Sequence, residues 1–393
     1  MSISLALVGL GAFGSGFAKL FKAHPLVGRV GLCDREPERI AKFAEDPFFK
    51  DKFSPRDAYD SLDSVLKAKF DAVVIITQPW LHAEQAVKAM LSGKHVYSAV
   101  PIVSLPDGDE ILEWCNKVVE TSRRTGMRYM LGETTYYRPQ TMFCRRMASQ
   151  GKFDHFVHAD AQYFHDVDSP TCNLRDVRTS RAASKAGQEW EVLSKSYEKR
   201  GVKSGPMHYP THSVGGPLAV MKSHAVKVCC WGYRDPDNDP FHGGGFSDET
   251  ALFHLANGAT MRICEYRQIG QSEEEMFRLF GSKATFREEQ WCENKHHWKK
   301  LTVDEMRDPL PADVRKAFEG CSFKADLFGE FGGHGGSHPY LVHEFVSAVA
   351  ANRQPAVNAW EAARYMVCGV MAHKSAMKDG AVLDVPDWGD APK

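Results

Sequence analysis

Three short clusters of polar and aromatic residues carry side chains suited to proton transfer. They occupy residues 133–137, 163–166 and 208–212, and each stands where an apolar segment ends or a loop begins. Carboxylate, imidazole and phenol groups act as acids and bases in most enzymes, and loops at sheet ends commonly contact ligands. The three clusters therefore supply candidate catalytic residues, among them Glu133, Tyr163, His165, Tyr209 and His212.

Tyr163 and Glu133 each have a structural alternative. Residues 156–164 alternate like a strand, on which Tyr163 and His165 share one face while Phe164 takes the other. Tyr163 is therefore also typical of a half-buried strand tyrosine, and Glu133 of a solvated loop carboxylate or a helix cap. The pattern alone leaves these alternatives open.

A structural or metal-binding pair is the alternative for the two histidines of the third cluster. On a helix, His208 and His212 would share a face, and Asp166 or Glu133 could complete a ligand set. Pro210 lies between the histidines and disfavours a regular helix. We therefore predict that the site holds no metal.

A glycine-rich turn near the N-terminus has the chemistry of a dinucleotide site. Residues 9–14 read Gly-Leu-Gly-Ala-Phe-Gly, follow the apolar run 3–8 and precede a helical pattern. Small residues let the backbone approach a pyrophosphate, and free N–H groups at the helix start stabilise its charge. Asp34 ends the next apolar run and would accept hydrogen bonds from the adenine-ribose hydroxyls, which favours NAD. The adjacent Arg35 could tolerate a phosphate there, so NADP stays open.

The elements that must position these residues alternate through the first third of the chain. Short apolar runs separated by helical patterns occur at residues 3–8, 30–33, 72–76, 95–98 and 128–131. Strands that alternate with helices predict an α/β fold, here a doubly wound parallel Rossmann sheet. We place this NAD-binding domain at residues 1–132.

Residues 133–393 have a different pattern of predicted strands and helices. Alternating segments bracket a hairpin turn at Asn257 and Gly258, and two helical patterns follow near the C-terminus. This predicts a substrate-binding and oligomerisation α+β domain, built on a large, mostly antiparallel open sheet. The polar segment 168–205 is expected to be a long loop.

Composition excludes several classes of protein. The 393 residues carry 49 Lys and Arg against 50 Asp and Glu, a formal net charge of -1, with no block of like charges. A nucleic-acid or anionic-membrane surface is therefore not expected. The apolar N-terminus predicts a strand rather than a signal peptide, and no apolar run approaches the ~18 residues that span a bilayer. The 10 cysteines have irregular spacing and no C-x-x-C pair, which predicts a reduced, cytoplasmic protein.

Three stretches of the first third resemble the glucose-fructose oxidoreductase, inositol dehydrogenase and MocA (Gfo/Idh/MocA) superfamily. They are residues 9–14, 75–82 and 93–96, with weaker similarity at 335–337 and 372–376. The resemblance implies a Rossmann domain with NAD, and a C-terminal α/β domain whose open sheet commonly builds oligomer interfaces. A homo-oligomer, dimer or tetramer, is therefore expected. The implied cofactor contacts are Gly9, Gly11, Ala12, Phe13, Gly14, Asp34, Arg35, Thr77, Gln78, Pro79, His82, Ala99 and Glu133.

One departure from that superfamily affects the chemistry. Its dehydrogenases usually continue Gly-Lys-His-Val with a Glu-Lys-Pro triplet whose lysine lies near substrate and nicotinamide. This chain has Ala99-Val100-Pro101 instead. The uncharged Val100 cannot relay a proton or hold an alkoxide. Either another residue replaces the lysine or the reaction differs.

The polar clusters resemble a narrower group, the NAD-dependent α-N-acetylgalactosaminidase-like glycosidases. The matches are Tyr163, His165, residues 209–212 and Glu133, and the departures are Phe164, residues 213–216 and the segment 168–205. The resemblance implies that hydride leaves carbon 3 of a sugar, which acidifies the proton on carbon 2. A base removes that proton, the aglycone is eliminated, water adds and the hydride returns.

The same resemblance implies a role for each residue. Tyr163 would be the base at carbon 2, and His212 would take the proton of the carbon 3 hydroxyl. Tyr209 and His165 would position the sugar. Because tyrosine normally titrates near ~10, Tyr163 needs a neighbouring cation or hydrogen-bond donor that the sequence does not identify.

Three functions follow from these observations. Cleavage or modification of glycosides by transient oxidation is the leading one. The second is an NAD(P)-dependent sugar or polyol dehydrogenase in which His212 or Tyr163 replaces the missing lysine, and the third is a non-catalytic NAD-binding sensor. A dehydrogenase accumulates NADH, a glycosidase of this kind does not, and a sensor turns over neither substrate nor cofactor.

Overall fold

The computed structural model describes residues 2–319, 321 and 334–392. Its first sheet consists of β1 (Ile3–Val8), β2 (Val27–Cys33), β3 (Phe53–Tyr59), β4 (Ala72–Ile75), β5 (His95–Ser98) and β6 (Tyr129–Leu131). The helices between them are α1 (Ala12–Ala23), α2 (Pro37–Ala44), α3 (Leu62–Lys67), α4 (His82–Leu91) and α5 (Gly108–Thr125). All strands are parallel, in the order β3-β2-β1-β4-β5-β6. The predicted doubly wound sheet is confirmed, and its order reverses between β1 and β4, where such sheets bind ligands.

Burial explains why the apolar runs of this half are strands. All four residues of β4 are buried, as are five of the six in β1. A parallel sheet covered by helices on both faces requires such continuous apolar runs. β3 was not predicted, because it lies at the sheet edge, is partly exposed, and contains Pro55, Arg56 and Asp57.

The second sheet has nine strands in the described part of the chain. They are β7 (Phe156–His165), β8 (Ala225–Tyr233), β9 (Asp248–Leu255), β10 (Thr260–Tyr266), β11 (Glu273–Gly281), β12 (Ala284–Arg287), β13 (Gln290–Glu293), β14 (His297–Lys300) and β15 (Leu383–Asp384). Their order is β14-β13-β12-β11-β7-β10-β9-β8-β15. Only β7 and β10 pair in parallel, and the other neighbours are antiparallel. The predicted hairpin is confirmed, with Gly258 at a φ of 86° in its turn.

Helices connect and cover this second sheet. They are α6 (Pro139–Ser149), α7 (Leu174–Ala182), α8 (Lys185–Lys199), α9 (Thr211–Met221), α10 (Val303–Met306), α11 (Ala312–Glu319), α12 (His338–Ala350) and α13 (Ala359–Ala376). α12 packs on α1 through Phe345 and Phe21, while α13 packs on both α5 and β8. The C-terminal helices thus join the two halves of the molecule.

The expectation of a loop over residues 168–205 is wrong, because α7 and α8 occupy most of it. α7 has no buried residue, and in α8 only Gly187 and Tyr197 are buried. Side chains of Asn173 and Ser184 cap the two helices instead. Hydrophobic periodicity does not detect a helix that buries so little.

Two simpler expectations concern membrane segments and cysteines. No helix in the described part of the chain combines the length and apolarity needed to cross a bilayer. Cys33, Cys264 and Cys368 are free and buried, and they pack as small apolar residues.

Candidate active site

The ends of β6 and β7 and the start of α9 bring the predicted catalytic residues into one cluster. Glu133 follows β6, Tyr163 lies near the end of β7, and His212 is in the first turn of α9. Glu133 Oε1 lies 2.9 Å from His212 Nδ1, and the rings of Tyr163 and His212 are 5.1 Å apart between centroids. The Tyr209 hydroxyl is 3.4 Å from His212 Nε2. His165 joins this group through the Tyr163 hydroxyl.

Glu133 is a helix cap and a partner of His212 at the same time. It caps the 3-10 turn Thr134–Tyr137, where its Oε1 accepts a hydrogen bond from the Thr135 backbone N–H at 2.9 Å. The residue is 0% exposed, so it is not a solvated loop carboxylate. The cap fixes the carboxylate that faces His212.

Pro210 separates the two histidines of the third cluster. It directly precedes α9, so the 3-10 turn Pro206–His208 ends before that helix begins. His208 packs instead on His373, with ring centroids 4.5 Å apart. The helix-face pairing of His208 with His212 that a metal would require does not form.

The Glu133–His212 pair is ionic and almost wholly buried. Burial would raise the pKa of Glu133, but the charge and hydrogen bond of His212 lower it to about 2. Burial would lower the pKa of His212, but the Glu133 charge raises it to about 9. The Nδ1–H group donates to Glu133, and Nε2 is directed to Tyr209. His212 loses its Nε2 proton only in alkaline solution while the cleft is free of ligand.

Tyr163 and His165 form a second proton-transfer pair. The Tyr163 hydroxyl lies 2.7 Å from His165 Nδ1, and His165 Nε2 lies 2.9 Å from the Cys172 carbonyl oxygen. Burial lowers the pKa of His165, so its ring is neutral near pH 7. A carbonyl oxygen only accepts hydrogen bonds, which assigns the ring proton to Nε2 and leaves Nδ1 as the acceptor. Tyr163 therefore donates its hydroxyl proton to His165.

Arg267 is the cation next to Tyr163 that the sequence did not identify. Its guanidinium lies 4.9 Å from the Tyr163 ring centroid and donates to the Tyr163 carbonyl oxygen at 3.2 Å. Burial raises the pKa of Tyr163 well above 10, and the Arg267 charge opposes that rise. Arg267 also donates to Glu265 Oε2 at 2.8 Å. Burial raises the pKa of Glu265 to about 7 against this charge, and the Ser213 hydroxyl donates to the same carboxylate.

One row across the second sheet contains a tyrosine and three carboxylates. Tyr163 pairs with Glu275 on β11 and with Glu265 on β10, and Glu265 pairs in turn with Glu249 on β9. The carboxylates of Glu275, Glu265 and Glu249 are bound respectively by Arg138, Arg267 and His373. Sequence patterning did not identify these residues, because the strands that place them in one row are far apart in the chain, and so are the partners of Glu275 and Glu249.

A cavity of about 330 Å³ opens beside His212. Its polar wall includes Thr135, Arg138 and Glu275, and its apolar wall Phe277. Thr135 donates its hydroxyl to Glu275 Oε1 at 2.6 Å, and Arg138 forms an ion pair with the same carboxylate. A cavity of this size, with polar and charged side chains along much of its wall, suits a small polar molecule.

His334 links this cleft to the glycine turn. Its ring lies 6.3 Å from that of His212 and 5.8 Å from that of Phe13, measured between centroids. His334 was not predicted as a site residue, and the sequence offered only its position just before Gly335.

The glycine turn fits a dinucleotide. Gly9 has a φ of 93°, and an added Cβ would lie 2.2 Å from the Ile76 carbonyl oxygen. At Gly14 an added Cβ would lie 2.1 Å from the Gly9 carbonyl oxygen, so both glycines are needed for the turn itself. At Gly11 an added Cβ would meet only an Arg39 side-chain atom, at 3.7 Å, and no side chain caps α1. The space over Gly11 and the uncapped N–H groups are therefore open to a pyrophosphate.

Asp34 lies at the end of β2, beside this turn. Its Oδ2 accepts a hydrogen bond from the Leu10 N–H at 2.7 Å, and its Oδ1 one from the Glu36 N–H at 2.9 Å. Oδ2 keeps a second lone pair for a ribose hydroxyl, whereas Oδ1 also faces Arg39 Nη1 at 3.5 Å. Arg35 does not point to an empty site, since its guanidinium binds both carboxylate oxygens of Glu189 at 2.8 and 2.7 Å.

The other predicted cofactor residues follow β4 and β5. His82 is buried, and its two ring nitrogens face the carbonyl oxygens of Pro101 and Thr77, so it holds these loops together. Two of these residues make side-chain contacts: the Gln78 amide faces the Ser184 hydroxyl, and the Thr77 hydroxyl donates to the Gln85 side chain. The other two make backbone contacts: the Pro79 carbonyl accepts from the Ser104 N–H, and the Ala99 N–H donates to the Ile75 carbonyl. Val100 is partly buried against the apolar core. Position 100 therefore supplies no group that transfers protons.

In the described part of the chain, one group of side chains has the composition of a metal site. Ligand atoms of His165, Cys172 and Glu273 lie within 4.8 Å of one another. His165 Nε2 already donates to the Cys172 carbonyl oxygen, which accounts for the approach without an ion. Asp166 does not join it, because its carboxylate accepts from backbone N–H groups of Asp168 and Ile269.

Comparisons with known proteins agree with this geometry. Residues 3–133 match the model of the Gfo/Idh/MocA oxidoreductase family, NAD-binding Rossmann fold, and residues 237–383 match that of its C-terminal alpha/beta domain. A glycosyl hydrolase family 109 protein of Stenotrophomonas maltophilia is 24% identical, over 98% of this chain and 89% of its own. An alpha-N-acetylgalactosaminidase of Tannerella forsythia is 23% identical, over 81% and 71%. The scyllo-inositol dehydrogenase of Lactobacillus casei with bound NAD(H) and scyllo-inositol has the same fold, with a TM-score of 0.65, 14% identity and coverage of 98% and 99%.

Proposed function

This chain belongs to the Gfo/Idh/MocA oxidoreductase family of NAD-binding enzymes, and we propose that it cleaves glycosides by transient oxidation at carbon 3 of the sugar. The observation that carries the proposal is the presence of two separate proton-transfer pairs, Glu133–His212 and Tyr163–His165, which adjoin through the Tyr163 and His212 rings, 5.1 Å apart between centroids. Oxidation of an alcohol requires one group to take the hydroxyl proton. Elimination requires a second group to take a proton from carbon. The similarity to relatives named as glycosidases supports the same conclusion.

His212 takes the proton of the carbon 3 hydroxyl in this proposal. Glu133 holds the imidazole by Nδ1 and raises its basicity, so that Nε2 accepts the proton once it is unprotonated. His212 thereby replaces the lysine that is absent at Val100. The glycine turn and Asp34 would hold NAD, which when bound would supply the acceptor for the carbon 3 hydride.

Tyr163 removes the proton of carbon 2 through a relay. Its oxygen accepts the carbon-bound proton while its own hydroxyl proton passes to His165 Nδ1. The Arg267 charge favours negative charge on the phenol oxygen, and Glu273, 3.4 Å from His165 Nε2, favours the imidazolium. The neutral starting pair avoids forming a free phenolate, whose formation burial makes costly.

The bonds and protons balance in this scheme. The carbon 2 proton passes to the Tyr163–His165 pair and leaves with the aglycone oxygen as the bond from carbon 1 to that oxygen breaks and a carbon–carbon double bond forms beside the ketone. Water then adds its oxygen to carbon 1 and a proton to carbon 2. The returned hydride and the proton held by His212 then restore the carbon 3 alcohol, so the net reaction is hydrolysis. The cavity beside His212 provides space for the sugar, and Arg138 and Thr135 offer hydrogen bonds to it.

Proton NMR in deuterated water tests this function with a panel of glycosides. We expect the released sugar to contain deuterium at carbon 2, without net accumulation of NADH. Cleavage at full rate without deuterium at carbon 2 would contradict the elimination. Stoichiometric NADH from a free sugar would favour a dehydrogenase in which His212 alone replaces the lysine.

The proposal extends to location and assembly. All 10 cysteines are free, which is consistent with a reduced, cytoplasmic protein. Trp231, Tyr233 and Leu252 on the outer face of β8 and β9 are 57%, 56% and 46% exposed. A cluster of large apolar side chains on an open sheet favours a homo-oligomer. Analytical ultracentrifugation should therefore give a mass above 44.0 kDa.

A further inference from the structure

Helices α7 and α8 reach from the end of β7 to the Rossmann half of the molecule. We call residues 173–200 the strap. The rings of Trp190 in the strap and Trp80 after β4 stack with centroids 4.8 Å apart. At the far end of the strap, the Tyr197 hydroxyl donates to Glu110 of α5 at 2.5 Å. The strap therefore lies on the NAD-binding half, although it belongs to the chain after β7.

The strap places a carboxylate beside the ribose corner of the glycine turn. Asp34 and Arg35 follow β2, at the position where Rossmann proteins bind the adenine ribose or its 2′-phosphate. Glu189 of the strap binds Arg35 through both oxygens, at 2.7 and 2.8 Å. Lys185 of the strap donates to the Arg35 carbonyl oxygen at 2.9 Å. Two independent contacts thus fix α8 to this corner.

Every cation at this corner already faces a carboxylate. Besides the Arg35–Glu189 pair, Arg39 lies 3.5 Å from Asp34, and Lys185 lies 3.6 Å from Glu36. Three positive and three negative side chains therefore balance. Without Glu189 the corner would have one excess positive charge, carried by a guanidinium whose fork matches a phosphate.

We propose that Glu189 is a specificity-determining residue that makes the chain select NAD over NADP. It occupies the donors of Arg35 that a 2′-phosphate would require, and it adds a negative charge where that phosphate would lie. Asp34 favours the ribose hydroxyls from one side of the corner, and Glu189 removes the compensating cation from the other. The inference rests on NAD binding by the family and is independent of the glycosidase mechanism.

Binding measurements on the full chain test the proposal without relying on turnover. After removal of any bound nucleotide, NADH and NADPH are titrated separately and the ratio of their Kd values is compared. Glu189→Gln should lower the ratio of the NADPH Kd to the NADH Kd by about tenfold, because one opposing charge is removed and Arg35 is released. The NADH Kd itself should change by less than about threefold, since surface ion pairs contribute little to the packing of α8.

Glu191→Gln is the matched control. Glu191 lies on the same helix, and its replacement by Gln removes the same charge. Its ion pair, however, is with Lys195 of that helix, at 3.5 Å. Its Kd ratio should remain that of the unmodified chain. Adding Arg35→Ala to Glu189→Gln should cancel the gain in NADPH affinity, because the released guanidinium is then absent.

Three outcomes would overturn the proposal. One is an unchanged Kd ratio in Glu189→Gln, with circular dichroism showing that the variant is folded. Another is an equal fall of the ratio in Glu191→Gln, which would assign the effect to net charge. The third is an equal change in both Kd values, which would assign it to the packing of the strap.

Discussion

Two buried glutamate–histidine pairs in this chain have almost the same geometry. Glu133 Oε1 lies 2.9 Å from His212 Nδ1, and Glu249 Oε1 lies 2.7 Å from His373 Nδ1. The pairs differ at the other ring nitrogen. His373 Nε2 lies 3.1 Å from the Lys203 carbonyl oxygen, whereas His212 borders a cavity and its Nε2 faces a tyrosine hydroxyl. A buried carboxylate–imidazole pair thus becomes chemically useful only where the second nitrogen can reach a ligand.

Removing the imidazole of the cavity pair should have the largest effect on turnover. We expect His212→Ala to lower kcat about 10³-fold, within the range typical of a lost general base. Because the first oxidation is blocked, neither bound NADH nor deuterium at carbon 2 should appear. Stopped-flow absorbance and NMR check the two readouts. A variant that binds NADH normally yet keeps more than a tenth of the activity would contradict the assignment.

Tyr163→Phe should separate the second proton transfer from the first. We expect cleavage and exchange at carbon 2 to fall together by about 10²-fold, while hydride transfer persists as an enzyme-bound NADH absorbance. Tyr266→Phe is the control, because the Tyr266 hydroxyl contacts Thr250 on the sheet and not His165. Loss of the NADH signal in Tyr163→Phe would assign this tyrosine to the first step instead.

Glu133→Gln should lower the pKa of His212, because the imidazole then lacks its carboxylate partner. In the unmodified chain, kcat/KM should rise with pH through about 9, because Nε2 must lose its proton before His212 acts as a base. Without the Glu133 charge, burial lowers the pKa of His212 below 6.5, so this limb of the profile should move to acid pH. A pH profile that stays in place would show that a different group titrates.

His373→Ala should show the smallest effect on turnover per folded molecule, within about twofold, since His373 borders neither the cavity nor Tyr163. It should lower the free energy of unfolding by about 3 kcal/mol, because the Glu249 carboxylate loses its buried partner. Urea denaturation and kcat for the folded fraction measure the two effects. A large fall in kcat without loss of stability would contradict the assignment of Glu249–His373 to folding and of Glu133–His212 to catalysis.

The sequence could predict those parts of the site that are local. The glycine turn, Asp34 and the strand ending at Tyr163 and His165 are recognisable because each spans few residues with a fixed period. The roles of His212 and Val100 came from a family pattern. All of them were readable without knowledge of the fold.

The remaining parts depend on residues far apart in the chain. Arg267 contacts Tyr163 only because β7 and β10 are neighbours, and Glu189 reaches Arg35 across 154 positions. The strap was mistaken for a loop because its helices are held by caps and surface ion pairs rather than by an apolar face. Such contacts have no periodic signal, since the pairing of distant elements is set by the whole fold.

The row that joins Glu275, Tyr163, Glu265 and Glu249 also bears on how the second sheet chooses its strand alignment. Carboxylates directly opposite one another destabilise a sheet unless each has its own cation. A shift of one residue in β11 or β9 turns Glu275 or Glu249 to the other face, away from Arg138 or His373. Each misaligned arrangement would bury an uncompensated charge. The same groups that surround the candidate site therefore discriminate against mispaired strands during folding.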